Sequence, residues 1–462
     1  MITMKRFISS TLFFALLLSF GNSFAQESRT ITIQEAIEIA LENNYQLKQA
    51  KNNLDLAEYN IKSEYADFLP SVSGSFNGSR RTGQQFISDR FREGLDPFVD
   101  ITSQSVSGNV GASIPVFNGF ENIHSLRASQ QSKISEEENL QRAKEQVIFN
   151  TASNYLQVLL DMELLDIRRE NLQSSRQQLE QVKAQVEVGS RPTVDLYDQE
   201  ALVANNELLV TQQENALKFS KLLLVRQLQI DPLGQYEFVV PELETDFEAD
   251  MTENYSLSEM IDQALLNRSD LKSSMASIRA LEFQLKIAKN RLIPTVSASA
   301  GLSTSYSDQY SVLGENVSFG DQFFDQRINR SLGFSLSIPI FQNWNRMTSI
   351  QSSKVQLKNA ELNLDNSRLQ VIQEVTQAYN DYTSYIKQLE TSEKSLIASE
   401  RAFETQQARY NAGSSTLIQL SQAQASYVEA QSNYTQAMFN LIFQEKLLDY
   451  YLGKLSGEKV EF

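Results

Sequence analysis

The chain has no cysteine and one histidine, His124, in 462 residues. Disulfide staples, thiol nucleophiles and thiolate metal centres are excluded, and no lipid anchor on an N-terminal cysteine is expected. A single imidazole cannot supply paired histidine ligands, and no glycine-rich phosphate loop is present. Basic charge is scarce: 41 Lys and Arg stand against 57 Asp and Glu, a formal net charge of −16. That balance argues against nucleic acid as a partner. Carboxylates such as Glu136, Glu137 and Glu138 read as a solvated helix face. No enzyme activity, cofactor site or metal site is expected.

Long apolar runs are equally scarce. "FISSTLFFALLLSF" follows Lys5 and Arg6 and ends near a small-residue "SFA". This is the pattern of a signal peptide over residues 1–25, which implies export. Beyond it, the best helical span, 146–167, is interrupted by Asn150, Asn154, Gln157, Asp161 and Glu163. If the mature chain enters a bilayer, it must do so as strands closed into a barrel.

Proline is rare, and its placement is informative. Of eight prolines, none falls within about 119–187 or 343–411, regions rich in Gln, Ala, Leu, Ser and Glu. Each reads as one helix of roughly 68 residues, a rod of about 100 Å. Shifting a first-half position by 224 gives its second-half counterpart: Pro70 and Pro294, Pro115 and Pro339, Phe117 and Phe341, Tyr155 and Tyr379, Gly189 and Gly413. The expected organisation is a first repeat over 26–230, a linker over 231–256, a second repeat over 257–453, and a tail over 454–462.

Both repeats open on a capping pattern, Thr32 with Glu35 and Ser256 with Glu259, ahead of an amphipathic helix. Strands are expected at about 71–78, 103–117, 295–303 and 330–341. There Val72, Gly74 and Phe76 alternate with serines, as do Val296, Ala298, Ala300 and Leu302. Apolar residues facing out and small polar residues facing in mark a membrane barrel strand. Loops at 78–104 and 304–330 join the strands. Turns at Gly189, Ser190 and Arg191, and at Gly413, Ser414 and Ser415, lead into shorter helices at about 193–230 and 416–453. Pro70, Pro115, Pro294 and Pro339 are expected where sheet meets helix, with each "SIP" ending a strand. Phe117, Phe120, Phe341 and Trp344 would form an aromatic belt there. Four strands cannot close a barrel, so chains must assemble; three copies give twelve strands and leave a lumen.

The doubled "ALENN"/"ALLNR", "LPSVS"/"IPTVS" and "SIPVF"/"SIPIF", with the turns "VEVGSRPTVDL" and "YNAGSSTLIQL", make the chain resemble the TolC-like outer-membrane efflux proteins. The resemblance covers nearly the whole mature chain. It implies a mainly α homotrimer, with a twelve-stranded outer-membrane β-barrel above a periplasmic α-helical barrel. Such a channel-tunnel spans outer membrane and periplasm in Gram-negative bacteria. It docks on a periplasmic adaptor (membrane fusion) protein and an inner-membrane pump, and serves tripartite efflux or type I secretion. Family members commonly carry an acidic gate just after the second-half turn, where this chain has Gln419 and Gln422. Their first-half counterparts are Asp195 and Asp198, on one helical face by i, i+3 spacing. The expectation is that the acidic ring has moved to the first half; the alternative is that these aspartates complement a helix dipole. A non-conducting periplasmic coiled-coil spacer or surface adhesin is the rival reading of the whole chain.

Overall fold

The computed structural model describes residues 29–239, 256–312 and 315–455. The expected signal peptide and most of the expected linker and tail lie outside the described residues. The remainder repeats one element order twice. Helix α1 (Ile33–Asn43) and α2 (Tyr45–Ala66) precede strands β1 (Ser71–Phe86) and β2 (Phe98–Phe117). Helices α3 (Glu121–Glu187) and α4 (Thr193–Leu228) follow. The second set is α5 (Leu257–Asn267), α6 (Ser269–Asn290), β3 (Thr295–Ser307), β4 (Asn329–Ser337), α7 (Asn345–Asn411) and α8 (Leu417–Tyr451). Helices α1 and α5 have 11 residues each, α2 and α6 have 22, and α3 and α7 have 67. With neither proline nor glycine inside them, nothing breaks the two 67-residue ladders.

The chain divides into two compact units. One comprises residues up to 51 with 139–269 and 367 onward. Its core joins Ile33, Ala36, Ile37 and Ala40, the apolar face of α1, to Ile148, Tyr155 and Leu159 of α3 and to Leu224 and Leu228 of α4. Thr32 closes the foreseen capping box: its Oγ1 accepts from Glu35 N at 3.3 Å while Glu35 Oε2 accepts from Thr32 N at 3.1 Å. Ser256 also stands at an N-cap but makes no side-chain bond there. Thr32 directly follows a short strand. Arg29–Ile31 pairs in parallel with Tyr236–Phe238, a strand inside the stretch read as linker. The Tyr155 hydroxyl is shared between the carbonyls of Ile31 (2.9 Å) and Val239 (2.8 Å). Burial pushes its pKa up to about 12.

The second unit, residues 52–138 and 270–366, holds an antiparallel sheet in the order β1-β2-β3-β4. The strands differ from expectation in two ways. β1 and β2 run to Phe86 and Phe98, which pair with each other, so the first loop shrinks to 87–97. On β1 both faces are polar from Ser79 to Gln85, so alternation in that strand gives no sign that the ladder continues. Nor does Pro115 end its strand. β2 carries on to Phe117, with Pro115 opposite Ser297 and a register shift before Phe117. Pairing with β1 stops at Ser113, so the missing donor falls where β2 has only one neighbour. Its counterpart Pro339 lies beyond β4, which ends at Ser337 rather than at about 341.

Candidate functional site: a two-faced sheet and paired helix tips

Residues directly opposite in a ladder share a face, and here the register sorts even from odd positions across all four strands. One row reads Val72, Ala112, Ala300, Leu332; another reads Ile114, Ala298, Phe334. The other face carries Ser71, Ser113, Ser299 and Gly333 in one row, and Ser297 opposite Ser335 in another. Ser71 and Ser113 meet at 2.9 Å, Ser79 and Ser105 at 2.8 Å. The apolar face is open: Leu332 is 88% and Phe334 83% exposed. Both outer edges, β1 and β4, have no further partner strand among the described residues.

Each "SIP" octet ends in the same backbone reversal. Gly119 and Phe120 have φ of 68° and 64°; their counterparts Asn343 and Trp344 have 47° and 65°. Two consecutive left-handed residues, one of them a bulky aromatic, turn the chain from sheet into a 67-residue helix. Left-handed φ is unfavourable for such side chains, so the surroundings must hold it. Gly119 is required, since a Cβ there would lie 2.8 Å from the Asn290 carbonyl oxygen. Phe117 packs edge-on against Phe120 at 5.3 Å, while Phe120, Phe341 and Trp344 stay exposed. Pro70 and Pro294 immediately precede β1 and β3.

At the other end of the long helices, both turns are Schellman motifs. Gly189 (φ 73°) donates to Val186 O at 2.9 Å and Ser190 N to Gln185 O at 2.9 Å. Gly413 (φ 72°) donates to Tyr410 O at 3.0 Å and Ser414 N to Arg409 O at 2.8 Å. The Ser190 and Ser414 hydroxyls fold back on the same carbonyls. The turns then diverge. Thr416 forms a capping box with Gln419, whose Oε1 also accepts from the Ser415 hydroxyl. Gln419 is thereby committed to the helix end, and Gln422 is exposed.

In the first turn Pro192 takes the N-cap position and supplies no side-chain cap. Asp195 instead accepts from Arg191 at 3.3 Å, and the Arg191 guanidinium lies 4.1 Å over the Tyr410 ring. Tyr410 is buried with Val182, Leu417 and Leu420. Burial raises its phenol pKa, opposed by the arginine. Asp195 and Asp198 therefore differ: the first is half-buried and paired, the second exposed. Sequence reasoning missed Arg191 and Tyr410 as a pair, because 219 residues separate them. His124 stacks on Phe283 at 5.9 Å.

The outer membrane efflux protein profile matches residues 36–226 and 260–454. BepC, an outer membrane efflux protein of Brucella suis, is 22% identical over 350 residues, 75% of this chain and 69% of BepC. The cation efflux system protein CusC of Escherichia coli O157:H7 is 22% identical over 328 residues, 70% of this chain and 64% of CusC. The chain thus spans about two thirds of the length of these curated relatives. The crystal structure of the Campylobacter jejuni CmeC outer membrane channel superposes with a TM-score of 0.76 at 17% identity, covering 91% of this chain and 85% of CmeC. With both repeats matched by the profile and the fold shared with such a channel, the chain belongs to the outer membrane efflux protein family.

Proposed function

We propose that this protein is the outer-membrane channel-tunnel of a tripartite efflux or type I secretion system. It passively conducts what an inner-membrane pump and periplasmic adaptor hand to it. The observation that carries this reading is the sheet: one continuous serine face, one exposed apolar face, and two free edges. Lipid tolerates no open edge, so the edges call for β1 of one copy to meet β4 of the next. Three copies make a twelve-stranded barrel with its apolar face in lipid and its serines lining water. A spacer or adhesin without a pore has no use for such a face.

In this reading Pro70, Pro115, Pro294 and Pro339 mark the barrel–tunnel junction, and Phe117, Phe120, Phe341 and Trp344 its interfacial belt. The turns at Gly189–Arg191 and Gly413–Ser415 are the adaptor-docking tips. The periplasmic gate is the first-half tip: Asp198 presents a free carboxylate, while Arg191, held by Asp195 and Tyr410, ties the two hairpins together. Gln419 and Gln422 contribute no charge. Reconstitution into planar bilayers tests the proposal: discrete single-channel currents and a heat-modifiable trimer band from outer-membrane fractions are expected. A protein that inserts without conducting would refute it.

A further inference from the structure

Part of the segment between β3 and β4 folds back onto the sheet. Residues Phe319–Asp321 and Gln322–Gln326 form two short helical turns that strap back over the apolar face. Gln322, fully buried, anchors the strap: its Oε1 accepts from Ser307 N at 3.0 Å and its Nε2 donates to Ser307 O at 3.0 Å. The side-chain amide thus serves the free edge of β3, which β4 leaves unpaired above Ser303. The Thr304 hydroxyl adds a bond to Phe323 O. Phe323 packs edge-on against Phe76 at 5.9 Å.

Between strap and sheet runs an open groove of about 510 Å³, floored by Gly74, Gly108, Val110 and Leu302 and walled by Phe76 and Phe324. Two glycines among large apolar neighbours keep its floor low; a Cβ on Gly108 would come within 3.1 Å of Phe323. At one end of the row Gly74–Val110–Leu302 stands Arg330, opposite Leu302. It is exposed, and no carboxylate of the described residues pairs with it. Arg327, beside the groove residue Ile328, lies over the Tyr310 ring at 4.9 Å.

We propose that this groove seats an acyl chain of a phosphorylated glycolipid of the outer leaflet, with Arg330 and Arg327 on its phosphate. The inference rests on the apolar face being the lipid face. The groove is continuous with that face and lies at the loop end of β3 and β4, with Ile328 and Arg330 where β4 begins and Pro339 beyond its far end; this end of the hairpin is taken to face the outer leaflet. Apolar walls match a hydrocarbon tail, and an unpaired guanidinium at the rim matches a phosphate.

Retention of diphosphoryl lipid A through gel filtration of the detergent-extracted full chain, read by native mass spectrometry, tests this. Wild type is expected to keep bound lipid A. Gly108→Leu fills the floor and Phe324→Asp charges the wall. Each should cut occupancy about tenfold, the effect of losing contact with roughly two methylenes. Arg330→Gln should lower lipid A retention while leaving that of phosphatidylethanolamine unchanged. Leu336→Ala, on the same face but outside the groove, should retain the wild-type level. Phe324 is 69% exposed, so its replacement carries the test if Gly108→Leu fails to assemble. Equal retention by Phe324→Asp and wild type would overturn the proposal. A wild type that conducts in bilayers yet keeps no lipid A overturns the groove alone, whereas one that never conducts overturns the functional reading beneath it.

Discussion

Three glycines with left-handed φ separate two physical costs. Gly189 and Gly413 have φ of 73° and 72°, and a Cβ on either would meet nothing within 4 Å. Alanine there suffers only the left-handed penalty, about 1–2 kcal/mol. Gly119, at φ 68°, adds steric conflict: its Cβ would lie 2.8 Å from Asn290 O and 3.2 Å from Ile293 Cβ. Both neighbours belong to the junction before β3, and neither atom is the tip of a flexible side chain. Overpacking of this kind costs a further 1–3 kcal/mol or so. Gly119→Ala should thus destabilise by roughly 2–5 kcal/mol, against about 1–2 for Gly189→Ala or Gly413→Ala. The assay is the thermal midpoint of the detergent-extracted assembly, followed by far-ultraviolet circular dichroism at fixed scan rate and concentration. Gly119→Ala should fall several degrees below the other two. Asn343→Gly, which relieves the equivalent strain in the second repeat, should raise the midpoint slightly. Equal shifts for all three glycines would refute the assignment of a close approach at the first junction.

Tyr155→Phe removes the donor shared by Ile31 and Val239, and should cost about 1–3 kcal/mol, read by urea denaturation. With the folded pKa raised to about 12 from an unfolded value near 10, the wild-type phenol contributes stability below pH 10 that is lost as pH rises from 10 to 12. Tyr155→Phe should be flatter across that window; parallel pH profiles would count against the clamp. Thr416→Ala removes a cap and should destabilise by about 0.5–2 kcal/mol, as measured by the thermal midpoint; no loss would mean that the box is dispensable. Arg191→Gln should loosen the tip and raise single-channel conductance, and Asp198→Asn should lower cation preference. Unchanged conductance and selectivity in both would remove the tip from consideration as gate.

Legibility varied with the length over which a pattern repeats. Sixty-seven residues without a breaker announce a helix whatever surrounds them, and the offset of 224 carries the starts of α1, α2, β1 and α3 onto those of α5, α6, β3 and α7. The buried face of α1 was readable because Ile33, Ala36, Ile37 and Ala40 recur at helical spacing. Alternation revealed the sheet only where its two faces differ in polarity, hence the unexpected extension past Gly78. The pairing of Arg29–Ile31 with Tyr236–Phe238 was invisible, since three residues show no period. Pro115 misled because a breaker's effect depends on whether its missing donor faces a neighbour. Long-range pairs such as Arg191 with Tyr410, and the strap's Gln322, depend on folding itself. No local signal could mark them.

The equal lengths of α3 and α7 limit where the chain can grow. Inserting one residue in either helix turns everything beyond it by about 100° and advances it 1.5 Å. Val182 and Tyr410, which pack together near the two turns, would then lose their alignment, and Arg191 its ring. Length changes inside the long helices should therefore be tolerated only as compensated sets. Single insertions belong at 87–97, where the chain reverses between two paired strand ends. Under the proposed channel reading, natural variation in chain length should accumulate in the loop that a barrel shows to the outside.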